Sequence, residues 1–234
     1  METCPENTLL SLEAALQCGA AYIEFDVQST ADGVLVVFHD VELERVTGVA
    51  CNLFEMQYES LNSIRVTEPG RFAKGKFSEP IPTLKDVVNL LLCYPKATAF
   101  VEIKDETVNQ FGIEKICKQL LKEIESIQQQ SVVISFHKEA IQYVKDNSAF
   151  KTGYVLEKYD AQHHEYAQEL NPDYLIVNHT KLIEGEVPWA GQWEWMLYDI
   201  TDPELCLKYA DTVSFIETRD ICMLLKQPVF AEKI

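Results

Sequence analysis

Short apolar runs with strand character alternate along the chain with amphipathic helical stretches, and this alternation constrains the fold more than any other feature. Strands are predicted over 22–27, 99–104, 132–136, 152–156, 174–177, 195–200 and 213–217. Helices are predicted over 8–18, 84–93, 113–127, 138–145 and 203–209. Such alternation implies an α/β fold with a mainly parallel sheet, because parallel neighbours are joined by helical crossovers. Thr83 is a good N-cap ahead of Leu84, and Gly19 suits the left-handed position that ends the first helix. No linker, repeat or low-complexity tract interrupts the 234 residues, so one domain over 1–234 is expected. Seven strands are one short of a closed TIM-type (β/α)8 barrel. The helix at 8–18 also has no strand ahead of it, which predicts a barrel lacking its first strand.

Within 22–27, side chains alternate between faces. Ile23, Phe25 and Val27 share one side, fit to pack on helices, while Tyr22, Glu24 and Asp26 share the other. Two acids about 7 Å apart on one inward face repel, and burying them uncompensated is costly. A divalent cation removes both problems; an exposed edge strand with a polar face is the plainer alternative. Asp32-Gly33 is a preferred pair for a two-residue type I′ turn. A hairpin folded there sets Ala31 opposite Val34, Gln28 opposite Val37 and Asp26 opposite His39. In 99–104, Val101 and Ile103 form the apolar side, which leaves Glu102 as a third inward carboxylate with Lys104 one step nearer the strand end. A plain salt bridge is the alternative for that pair. Oxygen-only ligation favours Mg²⁺ or Ca²⁺ over zinc, with Lys104 free to hold an anion and His39 free to move a proton.

Other residues carry weaker signals. His163-His164 lies in a polar helical stretch and reads as solvated. Phe136 and His137, at a strand end, either line a pocket or begin the next helix, and His179 is equally open. Trp189, Trp193 and Trp195 crowd one segment, where a cover for the barrel mouth and ordinary packing are both open.

The net charge of −17 argues against nucleic acid and anionic membrane surfaces as partners. It also argues against an anionic substrate, unless a bound cation reverses the local field. With 47% apolar and 24% charged residues the composition is that of a globular protein, and no apolar run reaches the roughly 18 residues of a membrane span. The seven cysteines form no CxxC pair, and Cys93, Cys117 and Cys206 sit in apolar periodic segments. A reducing, cytoplasmic setting is expected.

An ordered set of segments resembles the glycerophosphodiester phosphodiesterase family. They are Pro5-Glu6-Asn7-Thr8-Leu9, Glu24-Phe25-Asp26, Thr30-Ala31-Asp32-Gly33, Phe38-His39-Asp40 with Arg45 and Thr47, Ile81-Pro82-Thr83-Leu84, Val101-Glu102-Ile103-Lys104, and Ser135-Phe136. The resemblance implies a TIM-barrel enzyme that cleaves glycerophosphodiesters to glycerol 3-phosphate and an alcohol. It implies Glu24, Asp26 and Glu102 as ligands of one divalent cation, Mg²⁺ or Ca²⁺, His39 as one of two catalytic histidines, and Lys104 as the contact to the substrate phosphate. Residues 41–80 correspond to the family's insertion after the second strand. Family members open with a strand ending in His-Arg-Gly, which this sequence lacks, so Met1 is expected to be internal to a longer protein. A non-catalytic metal- or ligand-binding barrel is the alternative. A carboxylate-pair glycosidase ranks lower, because Glu24 and Asp26 adjoin on one strand and do not flank a sugar.

Overall fold

The computed structural model describes residues 3–182 and 188–231, which form two compact units divided after Val132. In the first unit, the helix Leu9–Gln17 leads into β1 (Tyr22–Ser29) and β2 (Leu35–Val37), and the helix Leu84–Leu92 leads into β3 (Thr98–Ile103). β1 is central, antiparallel to β2 and parallel to β3. Thr8 and Thr83 cap the two helices, each accepting from the backbone N–H three residues on while that residue's side chain accepts in return. Gly19 takes φ +98 just past the first helix, as its position predicts.

β4 (Ser131–Ser135) crosses the division. The second unit continues with the helix Lys138–Asn147, β5 (Lys151–Val155), the helix Ala161–Leu170, β6 (Tyr174–Asn178), β7 (Glu194–Tyr198), the helix Pro203–Tyr209 and β8 (Phe215–Ile216). β5 to β8 pair in chain order, all parallel. Gly153 in β5 is required by close approach: a Cβ there would meet Ile134 Cγ2 at 2.9 Å and Ile176 Cδ1 at 3.1 Å. The seven strands read from the sequence are β1 and β3 to β8, with ends displaced by one or two residues. The helix Asp105–Phe111 has no counterpart in that reading, since its apolar positions are few. Of the cysteines placed in apolar segments, Cys117 and Cys206 are buried and Cys93 is exposed. Among the described residues no helix is long and apolar enough to cross a membrane.

The β1–β2 hairpin corrects the predicted register. Val27 pairs with Val37, Gln28 with Val36 and Ser29 with Leu35, so Asp26 stands opposite Phe38 and not His39. Thr30 and Val34 extend the pairing beyond the strand ends, which leaves a three-residue loop over 31–33. Thr30 N–H donates to Val34 C=O, Gly33 N–H donates to Thr30 C=O, and Gly33 has φ +84 whereas Asp32 keeps a negative φ. A type I′ turn needs positive φ at both central residues. Asp32 is held out of it because its carboxylate accepts from Thr30 Oγ1 at 2.6 Å and from Tyr58 N–H at 3.0 Å. Ala31 N–H meanwhile donates to Met56 C=O at 2.9 Å. Contacts to the 41–80 excursion therefore override the local preference of Asp-Gly.

That excursion has its own apolar centre, in which Val36 and Phe38 pack with Leu43, Leu53, Leu61 and Val66. Arg45 ties it to the N-terminal segment. Its guanidinium holds both carboxylate oxygens of Glu6 and reaches Asp40 Oδ2 at 2.5 Å. Glu68, 2% exposed, accepts from Arg71 at 3.1 Å. Burial pushes the Glu68 carboxyl up to about 7; Arg71 opposes this and the charge of Glu6 adds to it. On Glu6, burial alone would act upward, but the bonds from Arg45 outweigh it and hold the carboxyl below its ordinary range.

Two expectations follow from this geometry. Gly33→Ala meets no atom within 4 Å but must keep a left-handed backbone, so urea unfolding should show a loss of about 1 kcal/mol at unchanged m. Gly33→Asn should lose less. Glu68 binds its proton more tightly in the folded chain than in the unfolded one, so its contribution to stability falls as pH rises from 4.5 to about 7. Glu68→Gln should raise the thermal midpoint at pH 8 by roughly 2–4 °C and leave it nearly unchanged at pH 5. A gain of equal size at both pH values would show that Glu68 does not titrate in this window.

Candidate metal and proton-transfer site

The site grows from the parallel register of β1 and β3. Asp26 is the neighbour of Glu102 and Glu24 of Phe100, and alternation turns Glu24, Asp26, Glu102 and Lys104 to the same face. The opposite faces carry Phe25, Val27, Val101 and Ile103, all inaccessible to solvent. One ligand oxygen from each of Glu24, Asp26 and Glu102 lies within 4.8 Å of the others. Asp26 and Glu102 are buried, as is Phe100, the neighbour of Glu24.

Burial pushes the Glu102 carboxyl up to about 7, the charge of Asp26 adds to that, and Lys104 and His39 pull the other way. Lys104 Nζ stands 2.9 Å from Glu102 and 3.4 Å from Asp26. Burial would lower its pKa, but the two carboxylates outweigh that and raise it above its usual value, so Lys104 is a cation. The predicted set of Glu24, Asp26, Glu102 and Lys104 is thus brought together as expected.

His39 also reaches the group, by a different route from the predicted one. Its Nε2 lies 3.4 Å from Lys104 Nζ, and its Nδ1 lies 2.6 Å from Asp40 Oδ1. The ring is half exposed, with 50% of the side chain accessible. Burial on its own would raise the Asp40 carboxyl, but hydrogen bonds from Arg45 and His39 more than offset it and hold the group below its ordinary range. The Asp40 carboxylate therefore fixes one ring nitrogen and leaves Nε2 facing the lysine.

Three positioning groups carried no assigned role in the sequence. Asn7, buried and at φ +52, donates from Nδ2 to Asp26 Oδ2 at 2.8 Å and accepts the Asp26 N–H at 3.1 Å. Arg45 holds Asp40. Gln28, with no exposed surface, donates from Nε2 to the His39 carbonyl at 3.0 Å. The signal for Gln28 was present, since 28 has the same parity as 24 and 26; the signal for Asn7 lay only in a left-handed backbone that the sequence does not display.

In the second unit, His137 is the N-cap of Lys138–Asn147, where its Nδ1 accepts from Ala140 N–H at 3.4 Å. Phe136 has Lys181 Nζ 5.8 Å from its ring. His163 is not solvated: it is buried and bonded at 2.6 Å to Asp160, the N-cap of its helix, while His164 stacks on Trp189 at 4.5 Å. Trp189 stacks on Tyr159 at 4.0 Å and accepts through its carbonyl from Trp195 Nε1 at 3.0 Å. Trp193 and Trp195 are buried, so packing accounts for the tryptophan cluster.

Comparison with known proteins places these features. Residues 2–188 match the model of the Glycerophosphoryl diester phosphodiesterase family. A glycerophosphodiester phosphodiesterase of Bacillus altitudinis is 34% identical over 133 residues, covering 57% of this chain and 53% of that protein. Glycerophosphodiester phosphodiesterase 1 of Bos taurus is 30% identical over 137 residues, 58% of this chain and 40% of that protein. The chain thus spans about half the length of the curated relatives it matches. An Oleispira antarctica phosphodiesterase, solved in complex with the product sn-glycerol-3-phosphate, superposes with a TM-score of 0.82 at 22% identity, covering 94% of this chain and 90% of its own. A glycerophosphodiester phosphodiesterase from Agrobacterium tumefaciens superposes with a TM-score of 0.75 at 23% identity, covering 97% and 94%. The fold is the α/β TIM-barrel type read from the strand–helix alternation, and the chain belongs to the glycerophosphoryl diester phosphodiesterase family.

Proposed function

We propose that this chain hydrolyses glycerophosphodiesters to sn-glycerol 3-phosphate and an alcohol, using one divalent cation, Mg²⁺ or Ca²⁺, held by Glu24, Asp26 and Glu102. The observation that carries the reading is the convergence of three carboxylate oxygens within 4.8 Å, with Asp26 and Glu102 buried and with Lys104 and His39 beside them. An all-oxygen, acidic donor set suits a hard cation. When bound, that ion supplies Lewis-acid charge to the phosphate oxygens. Lys104 gives a second positive charge, so the local field favours an anionic diester although the whole chain carries −17.

His39 is the proton carrier in this reading. With Nδ1 engaged by Asp40, Nε2 is the nitrogen left to take a proton from an attacking oxygen or to give one to the leaving alkoxide. Lys104 Nζ, 3.4 Å from it, holds a phosphate oxygen within the same reach. The Oleispira neighbour solved with sn-glycerol-3-phosphate supports that product here. Phe136 and His137 enter the proposal as pocket-lining residues on the sequence pattern alone.

Two measurements test this. Calorimetric titration should show one Mg²⁺ or Ca²⁺ bound by the wild type and none by Asp26→Ala; equal binding by both would remove the triad as the metal site. His39→Ala should lower turnover of glycerophosphocholine by roughly 10²–10⁴-fold with metal affinity nearly unchanged. Metal binding without any hydrolysis by the wild type would favour the non-catalytic binding barrel instead.

A further inference from the structure

We infer that Gln28 is the positioning residue that fixes the main chain of His39, doing from the sheet what strand pairing does not do. The hairpin ladder ends before the histidine: β2 stops at Val37, and the ladder closes with Phe38 N–H donating to Asp26 C=O at 3.0 Å. His39 lies one residue beyond, at a point where the chain turns into the 41–80 excursion. The bond that anchors its peptide to β1 is the one from Gln28 Nε2 to the His39 carbonyl, at 3.0 Å.

Gln28 is suited to this because it is itself immobile. It has no exposed surface, sits in the paired part of β1 opposite Val36, and shares the face of Glu24 and Asp26. Its Oε1 is buried and, among the described residues, has no hydrogen-bond partner. A buried amide with one unsatisfied end is unfavourable for stability alone, and an apolar side chain of equal size would avoid that penalty. The retained Nε2 bond is what only an amide supplies at this position. Asp40 orients the His39 ring from the other side, so the imidazole is held at both its backbone and its Nδ1, and Nε2 keeps its distance to Lys104.

The kinetic part of the test rests on the hydrolase reading; the spectroscopic part does not. The experiment compares wild type, Gln28→Leu and Gln28→Glu, the first removing the donor at similar volume and the second replacing it by an oxygen. Turnover of glycerophosphocholine should fall roughly 10- to 100-fold in both variants, with KM and Mg²⁺ affinity within about threefold of the wild type. In histidine-labelled protein, the His39 ring signal, identified by its loss in His39→Ala, should shift and broaden in both variants while the signals of His137, His163, His164 and His179 stay in place. Unchanged turnover and an unmoved His39 signal in variants with a lowered thermal midpoint would overturn the inference and leave Gln28 a core residue only. Movement of all five histidine signals together would also overturn it. If the wild type proves inactive on glycerophosphodiesters, the proposed function fails, and the His39 signal alone decides the role of Gln28.

Discussion

Asp26 and Glu102 stand side by side because β1 and β3 are parallel and in register, and both are buried. Two carboxylates in such a place repel each other and lose hydration, and the rise of Glu102 to about 7 is the measure of that conflict. Nearly every polar group around them answers it. Lys104 contributes a positive charge at 2.9 Å from Glu102, and Asn7 contributes an amide donor at 2.8 Å to Asp26. The backs of the same strands carry Phe25, Val27, Val101 and Ile103, none with exposed surface. A fold that places repelling charges together in its interior gives up stability there, and this is the kind of local inconsistency that marks a functional site.

His39 obeys a different logic. It is half exposed and lies off the end of a ladder, where a free main chain would let the ring wander over several ångströms. Its position is set by side chains: Asp40 at the ring, Arg45 behind Asp40, and Gln28 at the carbonyl. Side-chain tethers permit small adjustments that a strand ladder forbids. The carboxylates, which stay close together against repulsion, are on paired strands, and His39 is on the tethered segment.

The inward face of the site was legible because alternation along a strand is a strict rule: the parity that sent Glu24 and Asp26 inward needed no knowledge of neighbours. Glu102 and Lys104 followed from the same rule on a second strand. The hairpin was misread by one residue for the opposite reason. Asp32-Gly33 has a local preference for a type I′ turn, but Thr30 and Tyr58 both bond the Asp32 carboxylate, and Tyr58 is 26 residues away. No window on the sequence contains that contact. His163 was misjudged similarly, since a polar helical stretch gives no sign that one of its histidines packs inward on its own N-cap. The family resemblance implied roles for Glu24, Asp26, Glu102, His39 and Lys104 but gave Asn7 only a place in a matching segment, and its contact with Asp26 comes with a positive φ.

That last residue carries the argument one step further. Asn7 grips Asp26 by two bonds, and its neighbour Glu6 grips Arg45, which in turn holds Asp40 and through it the ring of His39. One dipeptide therefore touches both the rigid acidic arm and the tethered histidine arm. Asn7 takes a left-handed backbone, with φ +52. Asparagine tolerates that conformation better than other non-glycine residues, and glycine, which tolerates it best, would lose both bonds to Asp26. The left-handed backbone at this residue thus accompanies two hydrogen bonds to Asp26, and the adjacent Glu6 ties the same segment to Arg45.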